Sequence, residues 1–79
     1  MPTQKLSNVK IADFQEFLTK AGCKIVRTNG GHEVWAKFGL TRPVIVQTHI
    51  EPVPEFIIKN ALRNLGLTKA DFFRILFDL

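Results

Sequence analysis

The chain has 79 residues, 46% of them apolar, and 11 lysines and arginines against 7 aspartates and glutamates leave a net charge of +4. A chain of that length makes one domain over residues 1–79, hiding only about 63% of the surface its unfolded form exposes, and it excludes a two-domain enzyme with a large core. The longest apolar runs, such as Phe56-Ile57-Ile58, fall far short of the ~20 residues a bilayer-crossing helix needs.

The opening residues show no long apolar stretch followed by small residues, so no secretory signal and a cytoplasmic address are expected. From Asn8 to Ala21, Ile11, Phe14, Leu18 and Ala21 recur at helical spacing, widened by Phe17, with Asp13, Gln15, Glu16 and Lys20 opposite. This predicts an amphipathic helix capped by Ser7 or Asn8 and ended by Gly22. Cys23 to Asn29 and His32 to Phe38 then read as two strands, joined by Asn29-Gly30-Gly31. Asn-Gly predicts an antiparallel hairpin with a type I′ turn, whose two central residues need positive φ. Gly39 to Pro43 is a second turn, and Val44-Ile45-Val46-Gln47 a third strand, buried on at least one face.

A loop from Thr48 to Val53 carries His49, and Pro54 opens a second helix with Glu55 at its positive end. Ile58, Ala61, Leu62 and Leu65 form its apolar stripe, Lys59 and Arg63 are exposed four apart, and Gly66 stops it. Thr68 caps a third helix with Asp71 in its first turn, and Phe72, Phe73, Ile75, Leu76, Phe77 and Leu79 make it apolar nearly all round. The order α-β-β-β-α-α predicts a two-layer α+β domain, a three-stranded antiparallel sheet with helices on one face. Alternation puts Val34, Ala36 and Phe38 on one face of the second strand and Glu33, Trp35 and Lys37 on the other, with His32 on the Val34 side by parity.

Charge is unevenly spread: residues 1–31 carry five basic and two acidic side chains, residues 32–50 two and one, residues 51–79 four and four. The basic surface is therefore expected in the first two thirds. Gly30-Gly31-His32 lets backbone approach a phosphate beside an imidazole, but on spacing alone the glycines are expected to serve the turn and the histidine to start a strand. His49 is the only other histidine, and its plain role is to bond a loop carbonyl. Two histidines and one cysteine fall short of the usual zinc sets, so no metal is expected. Cys23, unable to form an internal disulfide, is expected as a small buried hydrophobe. Trp35 among Lys24, Arg27, Lys37 and Arg42 suits base stacking and phosphate contact, or ordinary sheet surface.

Gly30-Gly31-His32 at the second strand, Val44-Ile45-Val46 leading to His49, and Ala61-Leu62-Arg63-Asn64-Leu65-Gly66-Leu67-Thr68-Lys69-Ala70-Asp71-Phe72 together resemble the HicA toxin family from about Asn8 onward. The resemblance implies a fold like the double-stranded RNA-binding domain, metal-independent cleavage of messenger RNA that arrests growth, and neutralisation by a HicB-type antitoxin, through which the protein would also oligomerise. It places the catalytic histidine at His32. Gly31 stands where the family pattern has Ser or Thr, and Glu51 and Glu55 stand where basic residues are common.

The chemistry expected is attack of a 2′-hydroxyl on the adjacent phosphate, with His32 as general acid or base, His49 assisting, and the Gly30 and Gly31 amides with Lys24, Arg27 or Lys37 holding the phosphate. No cofactor is required. Two other classes share these residues: a non-catalytic RNA-binding module that leaves RNA intact, and a protein-interaction module that docks the apolar third helix into a partner.

Overall fold

The computed structural model describes residues 6–77, with the order α1 (Ile11–Lys20), β1 (Lys24–Asn29), β2 (His32–Ala36), β3 (Val44–Gln47), α2 (Glu55–Leu65) and α3 (Lys69–Leu76). It is an α+β structure in which three antiparallel strands lie in the order β1-β2-β3. Leu79 lies outside the described residues.

α1 buries Phe14, Phe17 and Leu18, as its apolar spacing requires. It ends as predicted: Gly22 takes φ +94°, its N–H donates to Thr19, and the Cys23 N–H donates to the Leu18 carbonyl at 2.9 Å. Its beginning differs. The helix starts at Ile11, Asn8 is itself left-handed at φ +61°, and neither Ser7 nor Asn8 caps it. The cap comes from forty residues away, where the Glu51 carboxylate accepts the Ile11 N–H at 2.8 Å. A negative charge at that end also opposes the positive pole of the helix dipole.

The hairpin closes more tightly than predicted. Asn29 pairs with His32, so the turn residues are Gly30 and Gly31, and only Gly30 is left-handed (φ +61°). Positive φ at the first central residue alone is the type II′ arrangement, not type I′. β2 also stops at Ala36, and Phe38, expected in the strand on the face of Val34 and Ala36, stands fully exposed in the following turn.

The face of β2 turned to the helices is that of Glu33 and Trp35. Trp35 is only 5% exposed and pairs with buried Val44, while Glu33 pairs with buried Val46. Directly paired residues share a sheet face, so His32, Val34 and Ala36 lie on the open side. β1 overhangs the helical layer with all six residues exposed.

α3 is the central helix of the other layer, and its Phe72, Phe73 and Leu76 are buried. The Phe17 and Phe72 rings approach to 4.6 Å between centroids, joining α1 to α3. The predicted cap of α3 is present as a reciprocal box: Thr68 Oγ1 accepts the Asp71 N–H and the Asp71 carboxylate accepts the Thr68 N–H. The Thr68 N–H, and then Arg74, hold the Asp71 carboxyl below the usual carboxylate range. Pro54 stands one residue before α2, at its cap position, and Gly66 ends that helix with φ +71°.

Phe17→Ala is expected to cost about 3–5 kcal/mol, since it removes a fully buried ring. That is a large share of the roughly 5–15 kcal/mol that holds a domain folded, so circular dichroism should show a substantial unfolded population on mild heating. Glu51→Ala should cost about 1 kcal/mol, a typical capping loss, read as a fall in Tm of roughly 4–8 °C.

Candidate active site

Sheet pairing alone brings a set of polar side chains to the open face. Antiparallel register sets Asn29 opposite His32, Arg27 opposite Val34 and Lys24 opposite Ala36 on one side, and Gln47 opposite His32 on the other. A bulge between Ile25 and Arg27 shifts the β1 register by one residue and turns Arg27 to the His32 side. Lys24 shares the face but not the neighbourhood, because it sits four residues along β2 from His32, about 13 Å at a strand's rise.

His49 arrives from the loop after β3. The Gly31 carbonyl accepts both the Thr48 N–H, at 2.7 Å, and the Thr48 hydroxyl, at 3.1 Å. This double bond carries the loop across the hairpin end and sets the His49 ring 5.9 Å from the His32 ring, centroid to centroid, with planes 70° apart. Both imidazoles are exposed.

The two glycines of the turn have different jobs. Gly30 supplies the left-handed conformation and has open space around it. Gly31 does not need positive φ; instead, a Cβ there would lie 2.6 Å from His49 Nδ1, well inside contact distance. Glycine at 31, where the resembled family has Ser or Thr, is what leaves room for the second imidazole. Glu51, likewise a departure from that family's basic character, is the α1 cap already described.

Two other expected site residues belong elsewhere. Trp35 cannot stack on a base: it is buried against the helices, and its Nε1 donates to Glu33 Oε1 at 3.0 Å, which also accepts from Gln15 Nε2 at 2.8 Å. Lys37 follows the far end of β2 from His32 and reaches back beside Gly22. The expected exposed Trp35 among Lys24, Arg27, Lys37 and Arg42 therefore does not form; of the cations expected to hold the phosphate, Arg27 is the one that stays near His32.

Cys23 is buried as predicted, and burial pushes its thiol up against the smaller opposing pull of Lys37, the reverse of what a nucleophile needs. Among the described residues no three His, Cys, Asp or Glu side chains converge as a metal site would require. Thr48 was not visible as a site residue in the sequence; only the β2–β3 register reveals that it positions His49. Comparison of the chain with protein-family models, curated proteins and solved structures finds no match.

What the arrangement offers chemically is a pair of neighbouring imidazoles on an open, cation-flanked surface, able to give and take a proton at one extended substrate. Gly31→Ala should keep the fold, because the exposed His49 ring can swing away. It should also abolish the nuclear Overhauser contacts between the two rings, with a Tm change of only a few degrees; retention of those contacts would contradict the steric role given to Gly31.

Proposed function

We propose that the protein is a metal-independent endoribonuclease that cleaves messenger RNA, acting in the cytoplasm as the toxin of a toxin-antitoxin pair neutralised by a HicB-type antitoxin. The observation that carries this reading is the His32–His49 pair, which stands 5.9 Å apart on the open sheet face. The resemblance to the HicA family and to the double-stranded RNA-binding domain supports it from the sequence side.

RNA brings its own nucleophile, so few protein groups are needed. One imidazole takes the proton of the 2′-hydroxyl as its oxygen bonds to phosphorus, and the other protonates the departing 5′-oxygen as the phosphorus–oxygen bond breaks. The products are a 2′,3′-cyclic phosphate and a 5′-hydroxyl, and each histidine ends with the other's starting protonation state. Arg27 and the turn amides of Gly30 and Gly31 are the groups available to balance charge on the phosphorane. Of the two imidazoles, His32 is the better fixed, being held in a strand, and it is assigned the indispensable role.

A second reading, a non-catalytic RNA-binding module, is favoured by one feature: both imidazoles are exposed at the surface. Binding alone would leave RNA intact.

With purified protein and a messenger RNA transcript in EDTA, the parent should produce 5′-hydroxyl fragments. His32→Ala should slow cleavage roughly 100- to 10,000-fold, the span of a lost general acid or base. His49→Ala should slow it less. Intact RNA with the parent protein would leave only the binding module, and equal cleavage by parent and His32→Ala would overturn the role given to His32.

A further inference from the structure

β3 is an edge strand, and its outer side is not bare. A concavity of about 470 Å³ runs along it, walled on one side by Arg42, Pro43 and Ile45 and on the other by Ile57, Asn60 and Arg63 of α2. The Thr48 N–H points at β2, where it bonds Gly31, so by the alternation of an antiparallel ladder the backbone groups of Val46 and Val44 also point inward. The N–H and C=O of Ile45 therefore face outward into the groove, and the N–H of Gln47 faces outward beyond them, while the Gln47 carbonyl accepts the Ile50 N–H of the following turn at 3.3 Å.

The two edges of the sheet are treated differently. β1 carries the bulge at its centre, which interrupts regular pairing and guards an edge against added strands. β3 pairs without interruption and has no such guard. A regular free edge beside a helix is the geometry by which peptide-binding domains take up an extended segment.

Charge selects the kind of segment. Lys59 of α2 is paired with Glu55, but Arg42 and Arg63 have no ion-pair partner among the described residues, and no carboxylate lines the groove. Nor does an aromatic ring, which argues against unstacked nucleobases as the occupant. The geometry points to an extended, acidic peptide segment of a partner protein, adding to β3 as a fourth strand with its carboxylates on Arg42 and Arg63. The site does not rest on ribonuclease activity: Val44 lies three residues along the pairing from the His32 position, about 10 Å at a strand's rise.

The test uses the full chain, a phage-displayed library of random twelve-residue peptides and a single-stranded RNA ten-mer. Selection should enrich peptides with Asp or Glu flanking a β-branched core. In ¹⁵N spectra the best of them should move the amide of Ile45 and the side chains of Arg42 and Arg63, leaving the His32 side chain unmoved. Arg42→Glu with Arg63→Glu, both exposed and unpaired, should keep the fold and weaken that peptide at least tenfold, while His32→Ala should leave its affinity unchanged. Failure to enrich any peptide, selection of basic sequences, equal binding by the double variant, or the RNA shifting the groove resonances in place of the peptide would each overturn the proposal.

Discussion

The burial of one indole orders the rest of this molecule. Trp35 turns into the helical layer with its N–H bonded to Glu33, and Glu33 is held in turn by Gln15 of α1. A buried indole N–H without an acceptor would forfeit a hydrogen bond, so the carboxylate two residues earlier on the same strand face is part of what makes the burial affordable. With side chains alternating along a strand, that single choice puts His32, Val34 and Ala36 on the other side. A slip of one residue would put the indole in water and His32 among the helices.

The loop between β3 and α2 is the second determinant. It is tied at three places: Thr48 to the hairpin carbonyl of Gly31, Glu51 to the first amide of α1, and the Val53 N–H to the Val9 carbonyl. The first tie spans the strands, the second binds the loop to the first residue of α1, and the third binds it to the chain just ahead of that helix. His49 sits between them, so its place beside His32 is fixed by contacts on either side rather than by its own buried surface.

Much of the fold was legible in the chain. Apolar residues at helical spacing located α1 and α2, Gly22 and Gly66 ended them, and Thr68 with Asp71 marked the start of α3, because each of these signals acts over a single turn of backbone. The hairpin was legible as well, though Asn29-Gly30 suggested the wrong turn type: two consecutive glycines let the turn shift by one residue, and pairing of Asn29 with His32 decided the matter. The N-terminal boundary of α1 was misplaced because its cap is Glu51, remote in sequence, while the local candidates Ser7 and Asn8 go unused.

The sequence by itself determined the element order, the α+β class and the burial of Cys23, all consequences of local periodicity, turn chemistry and hydrophobicity. Only the tertiary structure decided which face of β2 is covered, that His49 meets His32, and that Gly31 is there for space rather than for φ. The physical reason is that both faces of β2 carry polar and apolar residues, so alternation separates two faces without ranking them. Packing against helices distant in sequence chooses between them, and the same packing moved Trp35 from an expected RNA platform into the core.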